Sequence, residues 1–386
     1  MTAGNCKKII TVVGATGNQG SSVMRSLLQN PDFEVRCVTR NSSSAKSQEL
    51  EKLGAVLVEA NGLEMTQMIE AFTGSWGAFI NTNSEDPHLV EIGKTDVDLG
   101  GNIMRSAAAA GVQHVVYSSG PNPAKLTKGE LVIPGLDSMT FIGKGGPLLT
   151  YEWADKAEVE AIGRGLKSFQ TFTPVIVAWF LENFLDLQYA GIFGGFPLQK
   201  DDEGFLTYRT PLWGGHEDTP WISVTDDLGD IVHGIFLNPT RWSGRLVQAN
   251  GDIASFGDVT RKFIKGNPHP PFPRSSSLDC YGAGAYACTV TGRKARYIPY
   301  ATADDFPTQG LHFLEQIRDM FKFVQYRDGE YYCTGITELR SAAELKQSAF
   351  NAKGGKGREK LMSVEEWFKV NFPTEMGVGV RQGELC

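Results

Sequence analysis

Glycines at positions 14, 17 and 20 lie between a β-branched run (residues 9–13) and a helical stretch beginning at Gly20, and this arrangement constrains the chain most. The segment reads Gly14-Ala15-Thr16-Gly17-Asn18-Gln19-Gly20. Spaced as G-x-x-G-x-x-G at a strand-to-helix turn, glycines permit a tight bend and close backbone approach to a pyrophosphate. The phosphate charge then meets the free N–H groups of the helix N-terminus. Elsewhere in a chain the same glycines would only pack a helix on a strand.

The context repeats downstream. Candidate strands fall at 9–13, 34–39, 55–59, 78–81, 114–118 and 169–173, and candidate helices at 20–29, 44–53, 65–72, 89–110 and 153–164. Such alternation implies right-handed βαβ units, and the near-continuous apolar strands imply a sheet covered on both faces. The expected fold class is therefore α/β: a Rossmann-type doubly wound parallel sheet with a smaller C-terminal α/β substrate lobe. Gly and Pro become frequent after Phe180, where the rhythm loosens, and further helices are expected at 256–264 and 314–321. The division this predicts is a dinucleotide-binding domain at 1–175, a substrate-covering lobe at 176–372 and a tail at 373–386.

The second candidate strand ends Val38-Thr39-Arg40. An NAD site wants a carboxylate there to hold the ribose hydroxyls, and none is present. The Arg40 guanidinium fork suits a 2′-phosphate instead, so the expected cofactor is NADP(H).

Composition excludes several classes. A net charge of -7 gives no footprint for nucleic acid. The run from Lys353 to Lys360 reads as a solvated flexible loop rather than a basic patch. Six cysteines are scattered without metal-ligand spacing, so no metal is expected and the thiols read as reduced packing residues. No apolar run approaches the ~20 residues of a membrane span, and the early strand leaves no room for a signal peptide. The terminal Cys386 does not form a prenylation box. A cytoplasmic protein is expected, with the nucleus as a further compartment.

Longer segments resemble the NmrA-like family of atypical short-chain dehydrogenases/reductases. The resemblance runs from Lys8 to about Phe372 and is carried by the stretch from Thr11 to Gly20, by Val38-Thr39-Arg40, and by His114-Val115-Val116-Tyr117-Ser118-Ser119. Asp155-Lys156-Ala157-Glu158-Val159-Glu160 and Phe180-Leu181-Glu182-Asn183-Phe184 match as well, as do Val224-Thr225-Asp226-Asp227-Leu228-Gly229, Thr291-Gly292-Arg293-Lys294 and Met320-Phe321-Lys322-Phe323. The resemblance implies NADP(H) contacts from Gly14, Thr16, Gly17, Asn18, Gln19, Gly20, Arg40, Asn61, Gly62, Asn81, Thr82, Asn83, Lys94 and Ser118. It further implies a ribose contact from Lys156, and places Glu182 and Asn183 near the nicotinamide end. Three departures stand out. Asn61 replaces the usual Asp beside adenine, Ile176-Val177-Ala178 replaces Arg-Pro-Gly, and the loop at 121–150 is longer and rich in Gly and Pro.

Ordinary short-chain dehydrogenases use Tyr-x-x-x-Lys with an upstream serine. Here Tyr151 precedes Lys156 by one residue too many, a displacement of about 100 degrees on a helix. Candidate catalytic residues are Lys156 as ribose holder or proton donor, Tyr151 if a loop restores its reach, and Ser119 as a carbonyl polariser or phosphate contact. His88 reads as an exposed loop histidine, and Asp226 with Asp227 as a helix cap rather than an acid–base pair. The long loop and the aromatics Trp179, Phe180, Phe184, Tyr189, Phe193 and Phe196, which could equally be core, point to an NADPH-dependent reductase. Its substrate would be the carbonyl, enone or imine of a bulky apolar small molecule of secondary metabolism. The alternative, raised by the missing Tyr-x-x-x-Lys, is a non-catalytic NADP(H)-sensing regulator acting through protein contact. Expected partners are a small-molecule substrate and either a second copy in a homodimer or a regulatory protein, with neither nucleic acid nor membrane.

Overall fold

Apolar, β-branched segments form β1 (Lys8–Val13), β2 (Phe33–Thr39), β3 (Val56–Glu59), β4 (Gly77–Ile80), β5 (His114–Ser119) and β6 (Thr171–Val177). The computed structural model describes residues 6–83, 86–122, 126, 152–265, 294–332 and 334–373. The six strands lie parallel in the order β3-β2-β1-β4-β5-β6, and a seventh, Val247–Ala249, returns from the C-terminal half to pair with β6. The order reverses at β1, between β2 and β4, which is where ligands bind in open parallel sheets. The sheet and its Rossmann-type topology are as the sequence implied.

Helices α1 (Asn18–Leu27), α2 (Ala45–Lys52), α3 (Met65–Phe72), α4 (Pro87–Glu91), α5 (Asp96–Ala109) and α6 (Glu152–Gly165) alternate with the strands. The single helix expected at 89–110 is broken between α4 and α5. Gly93 sits at φ 65°, and Thr95 starts α5 afresh with a reciprocal capping box to Asp98. The strand expected at 169–173 lies further on, as β6, and contains Pro174. Proline lacks the N–H that a central strand donates, but pairing with the seventh strand begins only at Val175.

Beyond β6, Trp179–Phe180, Pro220–Ile222 and Asp252–Ile253 make a three-stranded sheet, and Leu206–Tyr208 pairs with Ala295–Tyr297. Helices Phe256–Lys265 and His312–Tyr326 extend the two expected there. Helix Gly229–Leu237 follows the cap read at Asp226 and Asp227, whereas Arg340–Ala352 and Val364–Asn371 had no expectation. Gly229–Leu237 packs against α1 on one side and Arg340–Ala352 on the other. Gly229 permits the first approach, since a Cβ there would stand 2.1 Å from the Ser22 carbonyl oxygen.

Buried ionic groups fasten these helices together. Lys346 Nζ lies 2.8 Å from Asp227 and 3.3 Å from Asp230, and Lys353 Nζ lies 2.6 Å from Asp230. Ser26 on α1 donates to Asp230 at 2.5 Å. Two sequence expectations are corrected here. Lys353 is buried rather than solvated, because it closes Arg340–Ala352 against a buried carboxylate. The cap of the turn Val224–Leu228 is the Ser223 hydroxyl, which accepts from the Asp226 N–H, while Asp227 is buried in the ion pair.

Candidate active site

The turn after β1 explains each glycine separately. Gly14 has φ 76°, and a Cβ there would stand 2.6 Å from the Asn81 carbonyl oxygen. At Gly20 a Cβ would stand 2.2 Å from the Gly14 carbonyl oxygen, so Gly20 lets α1 press on the turn. A Cβ at Gly17 would meet only the Gly14 oxygen, at 3.4 Å, and otherwise open space. That open space is what a pyrophosphate needs. Gly17 also begins α1 with no side-chain cap, leaving its first N–H groups directed to the cleft.

A continuous cleft of about 1200 Å³ runs from this turn to the C-terminal half. It brings together Gly14, Thr16, Gly17, Asn18, Gln19, Arg40, Asn61, Gly62, Asn81, Thr82, Asn83, Ser118, Ser119, Lys156 and Asn183. Gln19 is held by the Ser118 hydroxyl at 2.8 Å. Asn61 uses its side-chain oxygen to accept the Leu63 N–H, which fixes the turn after β3. Asn81 Oδ1 is buried with no hydrogen-bond partner among the described residues.

Other expected residues lie elsewhere. Gly20 is packed beneath the turn, and Lys94 is half exposed beside Asp98. Glu182 accepts from the Ser223 hydroxyl and from the N–H groups of Val224 and Thr225, so its carboxylate is consumed in holding that turn. Tyr151 and most of the 121–150 loop lie outside the described residues. His88 lines the cleft and is exposed.

Lys156 is buried near the start of α6. Its ammonium donates to the Thr82 carbonyl at 3.0 Å and lies 3.4 Å from the Thr82 hydroxyl and 3.9 Å from Asp96. Thr82 in turn donates to Asp96 at 2.8 Å. Asp155, adjacent in sequence, is buried with both carboxylate oxygens unpartnered among the described residues. Burial pushes its pKa up to about 7, with the charges of Asp96 and Glu158 adding to the effect. The Tyr117 phenol, also buried here, is pushed well above its usual range by burial and then by Asp96. Ser119 gives its hydroxyl proton to Glu160 at 2.5 Å. A hydroxyl has one proton, so in this arrangement it cannot also donate to a carbonyl.

The far end of the cleft is apolar. The aromatics named from sequence divide: Trp179, Phe180 and Tyr189 line the cleft, Phe193 borders it while almost wholly buried, and Phe184 and Phe196 are core. Ile176, Val177 and Ala178 form the wall between the two ends. Asp96, Asp155, Glu160 and Asp86 were not anticipated. Glu160 carried a signal, four residues after Lys156 on one helix face, while Asp96 carried none.

A parallel sheet of this order, with a glycine turn feeding an uncapped helix at its switch point, defines a Rossmann-type dinucleotide fold. A model of the NmrA-like family matches residues 6–268. The NmrA-like family domain-containing oxidoreductase himF of Aspergillus japonicus is 46% identical over 368 residues, covering 95% of this chain and 98% of its own. The chain belongs to the NmrA-like family. Among solved structures, the negative transcriptional regulator NmrA in complex with NADP aligns with a TM-score of 0.62 at 20% identity, over 95% of this chain and 96% of that one. Citrobacter sp. triphenylmethane reductase complexed with NADP(H) aligns with a TM-score of 0.58 at 14% identity, over 94% and 99%.

Proposed function

We propose that the protein is an NADPH-dependent oxidoreductase that reduces a carbonyl, enone or imine on a bulky apolar small molecule. The observation that carries this reading is one cleft joining the glycine turn to an aromatic chamber, with Lys156 among its lining residues. Relatives named as oxidoreductases support the redox chemistry.

The residues present fit the cofactor. Open space at Gly17 and the bare N-terminus of α1 suit a pyrophosphate, and Arg40 suits a 2′-phosphate. When bound, the dihydronicotinamide supplies a hydride to the substrate carbon. Lys156 holds its ammonium against Thr82, which leaves a donor for a ribose hydroxyl or for the oxygen or nitrogen that gains the proton. The apolar wall at Ile176–Ala178 excludes water beside that group, which strengthens the Lys156 contact.

The test is direct. Purified protein is titrated with NADPH and NADH, then mixed with NADPH and a panel of aromatic enones, ketones and cyclic imines while NADPH absorbance is followed. Preferential NADPH binding and substrate-dependent oxidation are expected. A second reading, an NADP(H) sensor without chemistry, is favoured by Ser119, whose proton is committed to Glu160. It predicts the same cofactor binding with no oxidation by any member of the panel.

A further inference from the structure

The turn after β3 leaves one hydrogen-bonding atom of Asn61 unused. Its backbone N–H donates to Gln67 Oε1 at 2.8 Å, and its carbonyl accepts the Glu64 N–H at 2.9 Å. Its side-chain oxygen accepts the Leu63 N–H at 3.1 Å. That last bond also fixes which end of the amide is which, since a flipped side chain would set N–H against N–H. Only Nδ2 remains. Asn61 is half-buried in the cleft wall, and Nδ2 has no partner among the described residues and is not sealed from solvent. The turn itself is held, because Asn102 on α5 donates to the Gly62 carbonyl at 2.7 Å. Leu99 and Ile103 stand against Gly62, and Val38 and Met68 belong to the same apolar cluster; all four line the cleft. A slot with such walls takes a flat ring, and the Asn61 amide is the polar side chain that meets its edge.

We propose that Asn61 reads the base of the dinucleotide, with Oδ1 accepting the adenine N6–H and Nδ2 donating to N1. With the pyrophosphate at Gly17 and the 2′-phosphate at Arg40, on the end of β2, the base extends outward to β3, the edge strand. The edge of adenine farthest from its ribose carries N6 and N1, a donor beside an acceptor. An amide is its complement: Oδ1 has a second lone pair free, and Nδ2 supplies the proton. Two parallel bonds close at once. A carboxylate at this position would accept from N6 but set a lone pair against N1. Hypoxanthine reverses the pair, with O6 accepting and N1–H donating, and the Leu63 N–H keeps the amide from turning over to match. Base recognition rests on the dinucleotide site of the proposed function, but is independent of what the far end of the cleft reduces.

The probe pair is NADPH and its deamino form, in which hypoxanthine replaces adenine. Dissociation constants of both are measured by calorimetry on the full-length protein, on Asn61→Asp and on Asn61→Leu, while circular dichroism checks the fold. Damage to the turn, or an added charge, falls on both dinucleotides alike, so the ratio of the two constants reports the base edge. Wild type should prefer NADPH by roughly tenfold or more, the scale of one bidentate amide–adenine pair. In Asn61→Asp the ratio should fall to about one, because the carboxylate gains one contact and meets one lone pair on either base. In Asn61→Leu it should also fall to about one, because neither base finds a side-chain partner. Equal affinities in wild type, or a preference kept in either variant, would overturn the proposal and leave the reductase reading to its carbonyl panel. A preference lost in both variants, in a protein inert toward that panel, sustains the base contact and removes the reductase reading instead. Failure of wild type to bind either dinucleotide would overturn both.

Discussion

Arg40 and Asp86 form an ion pair of 2.5 Å across the cofactor end of the cleft, joining the end of β2 to the segment after β4. The guanidinium is largely exposed and both residues line the cleft. Asp86 therefore aims Arg40 and also competes with any phosphate for it. Arg40→Ala should weaken NADPH by about 1–2 kcal/mol while leaving NADH nearly unchanged. Asp86→Ala should act oppositely, widening the NADPH preference by a few-fold. Parallel titrations of both dinucleotides decide it, and loss of NADH affinity equal to that of NADPH would remove the 2′-phosphate role from Arg40.

The glycine turn separates a binding substitution from a folding one. Gly17→Val places a branched side chain in open space, so the fold should persist while dinucleotide binding is lost. Gly20→Val drives atoms into the Gly14 backbone and should destabilise the chain by several kcal/mol. Thermal melts with and without NADPH distinguish them: Gly17→Val keeps its Tm but loses the ligand-induced rise.

Lys156 and Asp96 are expected to act as a pair. Lys156→Met removes the charge and all three donors, and turnover should fall roughly 10²-fold or more while NADPH binding falls far less. Asp96→Asn keeps the shape but weakens the hold on Thr82 and Lys156, so a smaller fall in kcat is expected. Undiminished turnover in Lys156→Met would transfer the proton step to another residue, with Tyr151 the first to examine.

Asp155 gives a pH signature. Its folded pKa, about 7, lies above the ordinary carboxylate value of 3.8, so the folded state holds the proton more tightly than the unfolded chain. That contribution is fully present below about pH 4 and is lost as pH rises towards 7. Asp155→Asn keeps a neutral group there, and its stability relative to wild type should grow by about 2 kcal/mol between these limits. Urea melts of both proteins across that range provide the measurement. A difference independent of pH would show that folding does not raise the Asp155 pKa.

The sequence spoke most clearly where chemistry is local. The turn at Gly14, Gly17 and Gly20, the strand ending in Arg40, and the alternation of strands with helices from β1 to β6 depend on neighbours a few residues away. What it left hidden depends on distance along the chain. Asp96 reaches Lys156 only because α5 and α6 pack on the same face of the sheet. Phe180 and Phe184 look alike in sequence, yet one is half-buried and lines the cleft and the other is core, because their placement is set by elements from 206 to 321. The break in the helix expected at 89–110 was legible in Gly93 and Thr95, but the apolar spacing on either side concealed it.

The ionic fastening behind α1 has a consequence for what can be cut from this chain. The family match ends at residue 268, but Lys346 and Lys353 lie well past it. A fragment ending there keeps the whole glycine turn, yet strands Asp227 and Asp230 as buried carboxylates with no cation beside them, a cost of several kcal/mol. It would also expose the flank of Gly229–Leu237 that supports α1 from behind. The smallest piece able to hold this fold together is therefore larger than the segment the family model matches, because Lys346 and Lys353 neutralise the carboxylates that lie behind α1.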